Sequence, residues 1–239
     1  MLKESDQKRP PLNDNRVPIH AINPKINAQI ALFHGNLETL PVPAIVNAAK
    51  RDLQGGGGLD ASVHNGAGPQ LALACRKYAP CDVGEAVITG GFELPARAVI
   101  HSVGPNIPQG KKPTTFQASQ LQACYINSLN TAATNNLPIV AFPAISAGSS
   151  GYPPEAAAYI ACVTVRRYLE TNENKGKFRL IIFCMWKENW IIYGSCIQAV
   201  NVASLQLGSL KRCRLLALRD GRADSVNYCA CRKVEATSN

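Results

Sequence analysis

A loop that contains four consecutive glycines has the composition of a phosphate-binding loop. It runs from Asn47 through Gly55–Gly58 to Leu59 and Asp60, where helical spacing of apolar residues begins. Glycine lets backbone N–H groups approach an anion without a Cβ clash, and the N-terminus of a following helix adds positive potential. We expect a positive φ at Gly57, so that valine there would block a phosphate. Because most glycine runs are plain turns, this loop alone does not establish a ligand.

A second loop, Ser146–Gly151, has the same strand–loop–helix setting. It follows the apolar segment 139–145, and prolines at 153 and 154 then open a helix, where proline is favoured in the first turn. Two such loops at the carboxyl ends of parallel strands can hold a diphosphate between them. The glycines are not followed by Gly-Lys-Ser/Thr and are not spaced Gly-x-Gly-x-x-Gly. The sequence therefore matches neither a Walker site nor a dinucleotide-binding fingerprint.

The periodicity of apolar residues predicts alternating strands and helices around the two loops. Strands are expected at 30–33, 44–46 (ending at Asn47), 85–89, 98–103, 139–145 and 178–184. Helices are expected from Leu59 onward with an interruption near Gly66, Gly68 and Pro69, and over 116–135, 153–170 and 187–198. Alternation of this kind favours a central, largely parallel sheet with helices on both faces.

The composition predicts one globular domain with extensions at both ends. The chain has 239 residues, of which 46% are hydrophobic and 17% charged. We predict a disordered arm over 1–25, the domain over 26–200, and a basic tail over 201–239 that is poorly ordered or holds a short helix near 205–218. The net charge of +9 is densest in the two ends. Non-specific nucleic-acid binding through them is one hypothesis, although a simply solvated tail is favoured.

Other features of the composition limit the class of protein. No run of about 18 apolar residues occurs, so no membrane association is expected. The polar, proline-rich start lacks the apolar core of a secretory signal, which predicts a cytoplasmic or nuclear protein, and we expect a monomer. Most of the nine cysteines, such as Cys124, Cys162 and Cys184, lie in apolar stretches and are predicted to be buried free thiols. Cys229 and Cys231 lack a second pair at zinc-site spacing, so no metal or cofactor is predicted.

A series of short motifs carries a specific resemblance. The motifs are Ile45–Ala49, Gly55–Asp60, Ala67–Pro69, Gly84–Thr89, Leu94–Ala96, Val99–Pro105 and Ala141–Ser146. Together, in this order and over roughly residues 27–200, they resemble the signature of the macrodomain family. Within that family the chain is most similar to the mono-ADP-ribosyl hydrolase class and to the macrodomain of the ganglioside-induced differentiation-associated protein.

The resemblance implies a three-layer α/β/α sandwich with a central mixed, mostly parallel sheet and a cleft for ADP-ribose, free or attached to a protein, over the strand ends. It implies that Trp186 stacks on adenine, with a core position as the equal alternative, and that Asp60 positions or activates water near the distal ribose. The ligand-binding residues it implies are Asn36, Leu37, Asn47, Gly55, Gly56, Gly57, Gly58, Leu59, Asp60, Ser146, Ala147, Gly148, Ser149, Ser150, Gly151, Tyr152 and Trp186.

Departures from the family pattern decide between binding and catalysis. Asn36 stands where the family has an aspartate that accepts from the adenine amino group, and Lys50 stands where the hydrolases have an asparagine beside the distal ribose. Ala147 and Ser150 replace a threonine and an aromatic residue. We therefore predict an ADP-ribose-binding module. The alternative is a hydrolase that removes mono-ADP-ribose from proteins or deacetylates O-acetyl-ADP-ribose, with Asp60 as its catalytic residue. His64 and His101 are predicted to be structural.

Overall fold

The protein is described from a computed structural model, which covers residues 23–186, 188–199 and 205–207. Its strands are β1 (Ile30–His34), β2 (Ala44–Ala49), β3 (Ala86–Gly90), β4 (Ala98–Val103), β5 (Ile139–Phe142), β6 (Leu180–Met185) and β7 (Leu205–Leu207). Its helices are α1 (Pro24–Asn27), α2 (Leu59–Ala67), α3 (Pro69–Cys75), α4 (Thr115–Thr134), α5 (Pro154–Glu170) and α6 (Glu188–Ala199).

All seven strands form one mixed, mostly parallel sheet in the order β3-β4-β2-β5-β6-β1-β7. The β3–β4 pair is antiparallel and the other neighbouring pairs are parallel. Every residue of β4, β5 and β6 is buried, as expected for strands covered on both faces. The strands β2, β5, β6 and β1 are neighbours at the centre of the sheet, so their carboxyl ends meet along one edge.

Two hydrophobic cores, one on each face of the sheet, make the domain a three-layer α/β/α sandwich. Helices α4, α5 and α6 pack on one face, with Leu121, Tyr125 and Phe183 among the buried side chains. Helices α2 and α3 pack on the other face, against Ile45 and Ile182 among others. Successive strand residues alternate between the two cores, as the two-residue period of a strand requires. The fold class predicted from the sequence is confirmed.

Local signals place most helix boundaries where they were expected. Gly68, at φ 74°, separates α2 from α3, and Pro69 opens α3 where a missing N–H costs nothing. A capping box between Thr114 and Gln117 begins α4. The predicted interruption of the first helix is therefore confirmed as a break between two helices.

The clearest departures from the sequence predictions are the ends of two strands and one segment of the predicted tail helix. β2 continues past Asn47 to Ala49, paired with β4 along its whole length. β5 ends at Phe142 rather than at 145, because Pro143 has no N–H to donate to a neighbouring strand and the chain turns there. Leu205–Leu207 pairs with β1 as a strand, not a helix, because the free edge of β1 offers backbone hydrogen-bonding groups that a local pattern does not reveal.

The cysteine prediction is confirmed for five described thiols. Cys75, Cys81, Cys124, Cys162 and Cys184 are free and buried. Cys229 and Cys231, the arm over 1–22, and the tail after 207 lie outside the described residues. None of the described helices is long and apolar enough to span a bilayer.

Candidate ligand-binding cleft

A cavity of about 460 Å³ opens at the carboxyl ends of the central strands. Segments that follow β1, β2, β5 and β6 all contribute to its wall. Its lining comprises Gly35, Asn36, Leu37, Glu38, Leu59, Ser62, Pro143, Ala144, Gly148, Cys184, Met185, Trp186 and Asn189. The volume falls within the usual range for small-molecule sites, and most of the lining side chains are apolar.

The glycine loop that precedes α2 has a backbone that only glycine adopts readily. Gly55 has φ 79° and Gly58, the N-cap of α2, has φ 58° and ψ −128°. Among the described residues, no acceptor is hydrogen-bonded to the amides of Gly57 and Gly58. These N–H groups are free to donate to an anion at the N-terminus of α2. The prediction of a positive φ at Gly57 was wrong, and a Cβ there would meet open space.

Gly58→Ala tests this backbone requirement. A Cβ in the left-handed region is strained, so we expect the free energy of unfolding to fall by about 1–3 kcal/mol. Gly57→Ala is the matched control, because Gly57 has an ordinary φ and room for a methyl group. Urea unfolding of both variants and the parent measures the difference. Equal losses in the two variants would contradict the conformation assigned to the loop.

Asp60, at the start of α2, is hydrogen-bonded to the backbone of the glycine loop. Its carboxylate is 3% exposed and accepts hydrogen bonds from the Gly56 amide at 2.6 Å and from Asn47 Nδ2 at 2.7 Å. Asn47 lies on β2, so this pair ties the loop to the central sheet. The sequence placed both residues in the site, and the structure brings them together beneath the loop.

The same network continues across the sheet through His101 on β4. Asn47 Nδ2 already faces a carboxylate and can only donate, so His101 Nδ1, 3.3 Å away, must accept. The proton of the neutral ring is then on Nε2, which donates to Thr89 Oγ1 at 3.0 Å. The Thr89 hydroxyl in turn donates to the Gly90 carbonyl at 3.2 Å. The structural role predicted for His101 thus has a specific form: it fixes the orientation of the Asn47 amide.

His64, Cys75 and His101 bring three potential metal-ligand atoms within 4.8 Å of one another. Cys75 Sγ lies 3.6 Å from His101 Nε2, and His64 Nε2 lies 3.6 Å from Asp60 Oδ1. A metal on His101 Nε2 would move the proton to Nδ1, where Asn47 already donates. The hydrogen bonds therefore favour a structural network over coordination at this cluster.

His101 makes the stability of the domain sensitive to acid. Burial, with His64 nearby, lowers the pKa of His101 from 6.5 to about 4, although Asp60 acts in the opposite direction. The unfolded chain binds the proton more tightly than the folded protein. The stability contributed by the neutral ring is therefore complete above about pH 6.5 and is lost as the pH falls toward 4. Over that window the loss amounts to about 3 kcal/mol.

We expect His101→Gln to remove this part of the pH dependence. The measurement is urea unfolding of the parent and the variant at several pH values between about 4 and 7. At neutral pH the variant should be less stable than the parent. Its free energy of unfolding should fall less on acidification, because the group that titrates in the parent is absent. Parallel curves for the two proteins would show that His101 is not the group responsible.

Lys50 lies over the glycine loop at the surface. Its side chain is exposed, and an ideal Cβ on Gly56 would lie 2.5 Å from Lys50 Cε and 3.0 Å from Nζ. In the described part of the chain, no ion pair joins Lys50 to Asp60. A free ammonium group beside the anion-binding amides adds positive charge at the entrance to the cleft.

The second loop brings a small residue to the cavity wall. Gly148 lines the cavity, and Ser149 is exposed beside it. Ser146 has φ 62°, is 6% exposed, and among the described residues its Oγ has no hydrogen-bond partner. Tyr152, predicted to contact the ligand, lies instead in the hydrophobic core at 2% exposure, where burial raises its pKa. Its amide donates to the Ser146 carbonyl at 3.0 Å, which closes the second loop.

The remaining wall is formed by the segments after β1 and β6. Trp186 is 52% exposed and lines the cavity, so the alternative of a core position was wrong. Asn36 is exposed at the rim, and Leu37 lines the wall while burying most of its side chain. Sequence reasoning missed Glu38, Ser62, Pro143, Ala144, Cys184, Met185 and Asn189 as lining residues. Their only signal is proximity in sequence to a strand end or to a predicted site residue.

This chain belongs to the macrodomain family. The model of the Macro domain matches residues 46–161. An O-acetyl-ADP-ribose deacetylase from Enterobacter cloacae is 46% identical over 159 residues, covering 65% of this chain and 87% of that protein. The rat protein ADP-ribose glycohydrolase MACROD1 is 44% identical over 171 residues, or 72% of this chain. The chain spans 65% of the rat protein's length and 40% of that of human ADP-ribose glycohydrolase MACROD2.

Solved structures agree with this assignment. The macrodomain of ganglioside induced differentiation associated protein 2 superposes with a TM-score of 0.71 at 32% identity, covering 78% of this chain and 90% of that chain. A macrodomain from Trypanosoma brucei, solved in complex with ADP-ribose, superposes with a TM-score of 0.64 at 36% identity, covering 71% and 69%. The resemblance inferred from the sequence motifs is confirmed by both comparisons.

Proposed function

We propose that the cleft binds ADP-ribose, either free or as the mono-ADP-ribosyl group of a protein. The observation that carries this proposal is that one cavity is lined both by Leu59, the residue that directly follows the glycine loop, and by Gly148 of the second loop. The amides of Gly57 and Gly58, directly before Leu59, have no acceptor among the described residues and are available to a ligand. A diphosphate between the two loops would lie at the N-terminus of α2, where the helix dipole favours negative charge.

The rest of the cavity suits the other parts of the ligand. Trp186 offers an exposed aromatic face, and Leu37, Leu59 and Met185 provide apolar walls for a base. Several relatives are named as enzymes of ADP-ribose chemistry, and the Trypanosoma brucei macrodomain was solved with ADP-ribose. Their likeness to this chain over the whole domain supports the same ligand class here.

Calorimetric titration of the full chain with ADP-ribose, ADP and AMP tests the proposal. If two loops hold the diphosphate, ADP-ribose binds at least as tightly as ADP and clearly more tightly than AMP. Because the ligand lies in a cleft, its affinity should depend less on salt than binding of a polyanion to the basic ends would. Equal affinity for AMP and ADP would show that the site does not bind the diphosphate, and this result would contradict the proposed function.

A further inference from the structure

One charged side chain on the cavity wall has no role in the network beneath the glycine loop. Among the described residues that line the cavity, Glu38 is the only acidic one, and no ion pair joins it to a described residue. Its side chain is partly buried, whereas Asn36, two residues earlier, is exposed at the rim. A solvent-accessible carboxylate beside apolar lining residues is available to accept a hydrogen bond from a ligand.

The backbone holds Glu38 in a defined place. It is the middle residue of a single 3-10 turn, Leu37–Thr39, that follows β1. The Thr39 hydroxyl donates to the Asn36 carbonyl at 2.8 Å, and the Leu40 amide donates to the Leu37 carbonyl at 3.1 Å. Leu37 is 3% exposed and anchors the turn in the core. These contacts define the backbone position of Glu38 on the cavity wall.

Two neighbours locate Glu38 in the fold. An ideal Cβ on Gly66 of α2 would be 3.9 Å from Glu38 Cβ, which puts Glu38 beside α2, the helix that also carries the lining residues Leu59 and Ser62. Cys184, which also lines the cavity, has its pKa raised to about 12 by burial and, to a smaller extent, by the charge of Glu38. Glu38 therefore lies near both α2 and Cys184 on the wall of the cavity.

We propose that the Glu38 carboxylate, rather than the Asn36 amide, accepts a hydrogen bond from the exocyclic amino group of adenine and sets the base selectivity of the cleft. A charge-assisted bond from an amino donor to a carboxylate is roughly twice as strong as a neutral one. The neighbouring apolar walls accommodate the ring, and the carboxylate supplies the acceptor that an amino-bearing base requires. This inference rests on the proposed function, since it names the base-recognising residue of the same site.

The test compares ADP with purine riboside 5′-diphosphate, which lacks the amino group and is otherwise identical. Calorimetry on the parent should show ADP bound about 10- to 100-fold more tightly. In Glu38→Ala this preference disappears, because ADP binding weakens while binding of the purine analogue stays within about threefold of the parent value. Glu38→Gln keeps an uncharged acceptor and gives an intermediate preference.

Two variants separate a role in recognition from a general effect on the fold. Glu173→Ala removes the same charge from an exposed turn that does not line the cavity and should keep the full preference. Asn36→Ala should also keep it. Equal weakening of both ligands in Glu38→Ala, or loss of the preference in Asn36→Ala, would overturn the assignment to Glu38. Failure of the parent to bind both ADP and ADP-ribose would instead remove the proposed function, and the base assignment with it.

Discussion

Replacing Asp60 with alanine is expected to weaken ADP-ribose binding by about 100-fold, because the glycine loop then loses the group that orients it. The carboxylate holds the Gly56 amide and Asn47 Nδ2 at 2.6 and 2.7 Å in a nearly water-free position. Removing one partner from such a set leaves buried donors unpaired and usually costs 2–5 kcal/mol. Calorimetry with ADP-ribose measures the loss, and urea unfolding should show a decrease of about 3 kcal/mol in stability.

Asp82→Ala is the matched control for this substitution. Asp82 carries the same charge but is paired with Arg51 at the surface, where its side chain is 70% exposed. We expect its removal to change the stability and ADP-ribose affinity very little, since exposed ion pairs contribute little. Asp60→Asn provides a second test, because it keeps an oxygen acceptor while removing the charge. Affinity in Asp60→Ala within about threefold of the parent would show that the loop does not depend on this carboxylate.

The second large effect concerns turnover. We expect the parent to release little ADP-ribose from a mono-ADP-ribosylated protein, and Lys50→Asn to release it about 100-fold faster. Lys50 has only donors and carries a charge, so it cannot reproduce the contact implied for an asparagine beside the distal ribose. Adding Ser150→Tyr should increase release further, because an aromatic ring at this position is implied to cover the ribose. Release is measured by the loss of label from the modified substrate.

The control variants for turnover are Lys111→Asn and Lys50→Asn combined with Asp60→Ala. Lys111 is exposed and does not line the cavity, so its replacement should leave the rate unchanged. The combined variant should lose whatever Lys50→Asn gains, since Asp60 orients the glycine loop and is also the residue implied to position water. Robust release by the parent that disappears in Asp60→Ala would make the chain a hydrolase and would contradict the proposed role as a binding module.

The sequence by itself determined the features that depend on the pattern of neighbouring residues, namely the order of the secondary-structure elements and the position of the two loops. Continuous apolar segments and helical spacing indicated the order of strands and helices, and the two loops were recognised by their glycines and serines between a strand and a helix. Asn47, Asp60 and Leu59 were placed in the site because motif order along the chain is a strong constraint. The break at Gly68 and Pro69 followed from backbone conformation alone.

Only the tertiary structure decided which of these residues meet, because that depends on the crossovers of the sheet. Asn47 and Asp60 are 13 residues apart, yet the network continues to His101 and Thr89 on strands that no local pattern pairs with the loop. Glu38 lines the cavity because the turn after β1 lies beside α2, whereas Tyr152 does not line it because its side chain is buried in the core formed by α4, α5 and α6. Contacts between distant segments depend on how the helices pack and on the order of the strands. These are properties of the whole fold and cannot be read from any single residue.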